Sequence, residues 1–162
     1  MKLDIVKVSV VIPVYNAETY LKECLDSVLG QSLREIEVVC VDDDSTDASQ
    51  EILMEYRQRD DRIVIIQESV HRGQAYARNL GMALARGKYI YFVDSDDVVK
   101  EDAMMALYHE AEKYGVDGVL FDADVIYDAG MEQYAYKSKR GKQYPGIYKG
   151  SQLFCLHNQE KD

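Results

Sequence analysis

The stretch Tyr89-Ile90-Tyr91-Phe92-Val93-Asp94-Ser95-Asp96-Asp97 constrains this chain more than any other. An apolar, β-branched and aromatic run stops abruptly at polar residues. Such a run reads as a buried strand of a parallel sheet. A buried strand cannot absorb carboxylates, so Asp94, Asp96 and Asp97 are expected to emerge at its C-terminal end. In open α/β sheets that is the end where ligands bind. In an extended chain Asp94 and Asp96 point the same way, and their charges repel unless a cation lies between them. Mg²⁺ and Mn²⁺, which prefer oxygen ligands, suit such a pair. A solvated acidic turn leading into a helix is the plain alternative.

The charge balance sharpens the point. Lys and Arg number 19 against 29 Asp and Glu, a formal net charge of −10. That disfavours nucleic acid or an anionic membrane surface as the main partner. An anionic ligand would need a metal or local cations to be held. The 162 residues fit one domain with a sizeable core. No run is long and apolar enough to span a membrane, and no secretory signal is recognisable. The expectation is a cytoplasmic protein, peripheral to the membrane in its full-length form. Cys24, Cys40 and Cys155 are odd in number and widely spaced, and read as reduced core thiols rather than a zinc site.

In chain order, residues 7–15 form a strand that Pro13 is expected to end. A helix follows over 17–29, with Leu21, Cys24, Leu25 and Val28 on one face. Residues 36–41, IEVVCV, are a second buried strand, ending in Asp42, Asp43, Asp44, Ser45, Thr46 and Asp47. A helix over 46–59 turns Ile52, Leu53 and Tyr56 inward, with Ser45 or Thr46 as its cap. Then come a strand over 62–67 and an Ala-rich helix over 73–86 closed by Gly87. The central strand, a helix over 101–114 and an apolar strand over 118–121 complete the series. Strands alternating with helices imply α/β architecture: a mainly parallel, twisted sheet flanked by helices and joined by right-handed crossovers. Residues 1–128 read as one domain. Residues 129–162 read as the incomplete start of another region, with a Tyr-rich hairpin or extended excursion over 131–148. Tyr134, Tyr136, Tyr144 and Tyr148 there suggest a partner surface or an unsatisfied domain interface.

Three strand ends thus carry polar clusters: Pro13-Val14-Tyr15-Asn16-Ala17-Glu18, residues 42–47, and residues 94–97. Between the last two lies Arg72-Gly73-Gln74-Ala75-Tyr76-Ala77-Arg78-Asn79. With the ordered stretches VSVVIPVYNAETYLKECLDSVLGQ, IEVVCVDDDSTDAS and RGQAYARNLGMALARGKYIYFVDSDD, the chain resembles the family 2 glycosyltransferases over about residues 7–125. The resemblance implies the Rossmann-like GT-A nucleotide-binding fold. It also implies a nucleotide-sugar donor, UDP by preference, a divalent metal (Mn²⁺ or Mg²⁺), and inverting transfer to a hydroxyl of a glycan or other acceptor. By that analogy Tyr15 covers the face of the base and Asp43 accepts a hydrogen bond from its edge. Pro13, Asn16 and Glu18 shape the rim and meet the ribose. Gly73 and Ser95 belong to the nucleotide site, and Arg78 sits near the diphosphate and the acidic motif. Asp94 contacts ribose or metal, and Asp96 binds the metal directly.

Each residue also has a plainer reading. Tyr15 could cap the core, Glu18 could compensate a helix start, and Arg78 could form a structural ion pair with Asp94. Asp44 stands where the family usually has Gly, which matters if the turn needs a positive φ. His71 and Arg72 replace uncharged polar residues; they read as surface side chains, or as local positive charge near the phosphates. No general base is assigned. Asp122, Asp124 and Asp128 are available, but the base of an inverting transferase is expected from sequence beyond the acidic motif. The chain therefore reads as a truncated, donor-binding half that exposes apolar surface and self-associates weakly. A non-catalytic nucleotide-binding or interaction module of the same fold is the competing reading. A dinucleotide-binding domain is disfavoured because no G-x-G-x-x-G follows the first strand. A phosphoryl-transfer enzyme would need an Asp at the first strand end, where Pro13-Val14-Tyr15-Asn16 stands.

Overall fold

The computed structural model describes residues 5–121. The Tyr-rich stretch, Cys155 and the candidates Asp122, Asp124 and Asp128 lie outside the described residues. The chain divides into two compact units, Met1–Asp117 and Gly118–Asp162. Among the described residues, every strand and helix belongs to the first.

Its order is β1 (Val8–Val14), α1 (Leu21–Leu29), β2 (Ile36–Asp42), α2 (Ser49–Arg59), β3 (Ile63–Gln67), α3 (Gln74–Leu84), β4 (Tyr89–Phe92) and α4 (Ala103–Tyr114). The strands form one parallel sheet in the order β3-β2-β1-β4. β1 and β2 are apolar almost throughout because they are central and covered on both faces. Val8, Val10, Ile12 and Val14 of β1 point to one side, into a core with Leu21, Leu25 and Val28 of α1, Ile52 and Leu53 of α2 and Met104 of α4. Val11, Val39 and Val41 point to the other side, against Ala77 of α3. A Cβ on Gly81 would lie 2.4 Å from Val11 Cγ1, so α3 seats directly on β1 only because residue 81 has no side chain.

Four details depart from the sequence reading. Pro13 lies inside β1, paired with Val41. The Val11 carbonyl accepts from Val93 N on the β4 side, whereas the Val14 carbonyl accepts from Asp43 N on the β2 side. Alternation turns the Pro13 nitrogen toward β4, whose pairing with β1 has already ended at Val11↔Phe92. No ladder bond is lost. β4 is half-covered rather than buried: Ile90 and Phe92 are exposed while Tyr89 and Tyr91 are half-buried. Gly87 does not close α3, which ends at Leu84 with Ala85 as its cap. Its missing side chain serves a close approach instead, since a Cβ there would lie 2.5 Å from Ser9 N. Residues 118–121, expected as a strand, carry no regular secondary structure.

Two carboxylates of β2 are buried, Glu37 near its start and Asp42 at its end. Glu37 of β2 accepts from Ser9 Oγ at 2.5 Å, Arg86 N at 2.6 Å and Arg86 Nε at 2.7 Å. Ser9 Oγ in turn accepts from Gly87 N at 2.8 Å. The turn between α3 and β4 is thereby tied to the two central strands.

Candidate functional site

The loops that follow β1, β2, β3 and β4 all leave the same edge of the sheet, because the strands are parallel. The first two are laced together. Asn16 N donates to Ser45 Oγ at 3.0 Å, and Asn16 Oδ1 accepts from Thr46 N at 2.8 Å. Glu18 N donates to Asp47 Oδ2 at 3.0 Å, and Glu18 Oε2 accepts from Ala48 N at 2.9 Å. Ala17 N donates to Ser49 Oγ at 2.8 Å. Asn16 and Glu18 therefore spend these groups on the neighbouring loop. Neither Ser45 nor Thr46 caps α2; its start is met by Asp47 Oδ1 on Ser49 N at 2.9 Å and by Glu18. The lacing bends both loops sharply. Asn16 has φ 48° and Asp44 φ 65°, so the turn does require the left-handed conformation that Gly would adopt freely.

Tyr15 is 46% exposed and so is no core cap. Its ring is stacked on that of His71, with centroids 3.9 Å apart and planes 26° apart. Beneath them lies Asp43, 2% exposed. Asp43 Oδ1 accepts from Arg72 N at 2.9 Å, and Oδ2 accepts from Gly73 N at 2.7 Å. His71 Nδ1 lies 2.8 Å from Asp43 Oδ2 and 3.3 Å from the Asp43 carbonyl oxygen. Gly73 has φ 90° and ψ 162°, a region essentially restricted to glycine, and it opens α3. The buried aspartate thus anchors the whole β3–α3 loop. Pro13 is buried near the end of β1, two residues before Tyr15.

On the other side of β1, the acidic motif meets α3. Arg78 Nη2 lies 2.5 Å from Asp94 Oδ1, and Gln74 Nε2 donates to the same oxygen at 2.9 Å. Arg78 Nε is buried and lacks a partner among the described residues. Ser95 is half-buried and Asp96 is exposed. Asp97 N closes a turn onto the Asp94 carbonyl oxygen at 3.0 Å. Burial, then the charges of Asp96 and Asp94, push the Asp97 carboxyl above its ordinary range. Three carboxylates thus share one turn, with Arg78 paired to Asp94. Cys24 of α1 lies below, its Sγ 3.5 Å from the Asp94 carbonyl oxygen. Burial, then the charges of Asp97, Asp96 and Asp94, push this thiol up to about 12. Burial also raises Cys40. Both are protonated packing residues, as expected from their strand and helix positions.

Sequence reasoning singled out Pro13, Tyr15, Asn16, Glu18, Asp43, Gly73, Arg78, Asp94, Ser95 and Asp96, and all lie along this edge. It missed Gln31. This fully buried side chain donates to Ser27 O at 3.1 Å, Lys100 O at 2.8 Å and Val99 O at 3.4 Å. It accepts from Met104 N at 3.1 Å. It thereby clamps the segment after the acidic motif to the end of α1. A buried glutamine just past an amphipathic helix was the available signal. The partnership of His71 with both Tyr15 and Asp43 was missed too, because nothing in the local pattern links residues 15, 43 and 71.

The donor set fits a hard divalent cation in part. Asp96 offers exposed oxygens, and Asp94 bonds Gln74 and Arg78 through Oδ1. Among the described residues, no group of three His, Cys, Asp or Glu side chains is assembled for a metal. Further oxygens would have to come from a ligand. Nor is any helix among the described residues long and apolar enough to cross a membrane.

A family model described as Glycosyl transferase family 2 matches residues 9–159. The chain is 38% identical over 149 residues to the glycosyltransferase GlyG of Streptococcus pneumoniae, covering 92% of this chain and 46% of that protein. Staphylococcus aureus TarS, solved as residues 1–349 in complex with UDP, superposes with a TM-score of 0.71 at 31% identity. That match covers 82% of this chain and 40% of TarS 1–349. The mannosyltransferase PcManGT of Pyrobaculum calidifontis, solved with GDP-Man and Mn²⁺, aligns with a TM-score of 0.57 at 27% identity. It covers 62% of this chain and 30% of that one. The chain thus spans less than half the length of each of these proteins.

Proposed function

The chain belongs to glycosyl transferase family 2 and has its GT-A fold, and from that premise we propose that it is the donor-binding half of an inverting glycosyltransferase. The donor is a nucleotide-sugar, with UDP as the nucleotide, and the acceptor is a hydroxyl of a glycan or similar molecule. The observation that carries this reading is the arrangement at one sheet edge. An exposed aromatic ring at Tyr15 and a buried carboxylate at Asp43 stand to one side of β1. The Arg78–Asp94 pair and the charged motif stand to the other. A nucleoside diphosphate has the same order: an aromatic base, then a dianionic linkage.

Tyr15 supplies a stacking surface for the base. Asp43 holds the β3–α3 loop and presents its remaining acceptor capacity to the base edge. Asn16 and Glu18 contribute by fixing the rim, since their lacing sets the position of Tyr15. Arg78, paired with Asp94, brings positive charge to the diphosphate side. Ser95 and Gly73 line the path between. Asp94 and Asp96 would hold Mn²⁺ or Mg²⁺. When bound, the ion would neutralise the diphosphate as the sugar leaves. UDP as ligand is supported by the TarS complex, and a divalent ion by the PcManGT complex.

The test is calorimetric titration with UDP, GDP, CDP and dTDP, each with Mn²⁺ and with EDTA. UDP should bind in Mn²⁺ and lose most of its affinity in EDTA. Asp96→Asn should bring the Mn²⁺ value close to the EDTA value. Equal UDP affinity in Mn²⁺ and EDTA would sink the metal assignment. Tighter binding of GDP would overturn the choice of nucleotide.

A further inference from the structure

His71 already makes the two contacts proposed for the base. It is a flat heteroaromatic ring stacked on Tyr15, and its Nδ1 lies 2.8 Å from the buried Asp43 Oδ2. An aromatic base carrying a ring N–H needs that same face and that same oxygen. We propose that the His71 imidazole is a built-in competitor that occupies the base subsite until a nucleotide displaces it. This rests on the nucleotide reading given above.

The geometry supports displacement over a fixed structural role. The His71 side chain is already 48% exposed, so it borders open solvent into which it can swing. The backbone of the loop is pinned independently, through Arg72 N and Gly73 N on Asp43. Rotation of the imidazole about its own side-chain bonds therefore frees Tyr15 and part of Asp43 Oδ2 without unmaking the loop. Asp43 keeps two backbone donors throughout, so its buried charge stays satisfied while the third donor changes. The Asp43 carbonyl oxygen, 3.3 Å from Nδ1, is the imidazole's other acceptor and is released with it.

The consequence is quantitative. A site that is open only part of the time binds with its intrinsic affinity reduced by the open fraction. Removing the ring should therefore tighten nucleotide binding. One aromatic stack and one charge-assisted hydrogen bond, offset by their solvent replacements, correspond to roughly a threefold to tenfold effect.

The experiment is calorimetry with UDP and Mn²⁺ on the 162-residue chain as wild type, His71→Ala and His71→Phe, with thermal unfolding beside it. His71→Ala should bind UDP about threefold to tenfold more tightly, with a melting temperature lowered by no more than a few degrees. His71→Phe keeps the stack but cannot donate to Asp43, and should fall between Ala and wild type. ¹³C-labelled imidazole should report the same event: the His71 ring resonances should lose the ring-current shift of Tyr15 when UDP is added. Weaker binding by His71→Ala would overturn the proposal and make His71 part of the base wall. Equal binding would overturn it too, placing the base on another part of Tyr15. In both cases UDP still binds wild type, so the nucleotide reading stands. Failure of every variant to bind UDP would overturn both.

Discussion

Tyr15 and Asp43 stand at one loop edge, yet their loss should be felt differently. Tyr15 is 46% exposed and packs on His71 alone among the aromatic residues described. Tyr15→Ala should leave the melting temperature nearly unchanged and weaken UDP binding by about 1–3 kcal/mol, the usual worth of a base stacked on an aromatic side chain. Asp43 is buried and holds Arg72 N, Gly73 N and His71 Nδ1. Asp43→Ala leaves two backbone donors without their acceptor and should cost about 1–3 kcal/mol of stability as well as affinity. Denaturant unfolding beside calorimetry separates the two. An Asp43→Ala protein with wild-type stability would show that Asp43 does not organise the loop. At this scale the sequence is legible where chemistry is local. An aromatic residue after a buried strand, an aspartate at a strand end, and Asp44 at a turn needing positive φ were all legible. What was not legible was the traffic between loops. The bonds of Asn16 and Glu18 to residues 45–48 could not be read locally, because those partners lie about thirty residues away and are brought near only by the pairing of β1 with β2.

The strands and helices themselves were legible because apolar runs and helical faces are strong signals, and the boundaries slipped where tertiary contacts decide them. α2 starts at Ser49 rather than near residue 46, since the preceding polar groups are spent on the β1 loop. β4 looked buried from its composition, but composition cannot tell a central strand from one covered on one face. Glu37 is the sharpest case, a carboxylate inside an otherwise apolar strand. Burial pushes its carboxyl up; the Ser9 hydroxyl, the Arg86 backbone N–H and the Arg86 guanidinium outweigh that and hold it below its ordinary range. The unfolded chain therefore takes up the proton first as pH falls. The stabilisation is fully present above the unfolded value of about 4.3, and it is lost as pH falls through the lower folded value. Glu37→Gln should destabilise the protein at pH 7 by about 1–3 kcal/mol, because it leaves Arg86 without its countercharge and disturbs a buried network. The gap between wild type and variant should shrink as pH falls below about 4. Urea unfolding at pH 7, 5, 4 and 3 measures it. A gap of constant size would mean that Glu37 matters for shape and not for charge.

For the whole molecule, binding and transfer make different demands on the chain. The residues proposed to bind the donor all precede Asp97, and they are held by a four-stranded sheet whose cores lie within the unit Met1–Asp117. Donor binding should therefore be a property of this chain. Transfer also needs an acceptor hydroxyl held in place and a carboxylate within hydrogen-bond reach of it. The chain covers 46% of GlyG and 40% of TarS 1–349, which leaves most of each relative's length to supply those parts. Loss of a general base alone costs about 10²–10⁴-fold. Loss of acceptor positioning multiplies that, since orientation contributes several kcal/mol in well-ordered sites. The expected outcome is metal-dependent UDP-sugar binding with sugar transfer at least about a hundredfold below that of a full-length relative. The measurement is product formation from a panel of UDP-sugars with Mn²⁺ and candidate acceptors, run beside GlyG. Transfer at a rate near that of the full-length enzyme would overturn the division of labour. It would then oblige one of Asp122, Asp124 and Asp128 to act as the base, which Asp→Asn variants at those three positions would identify.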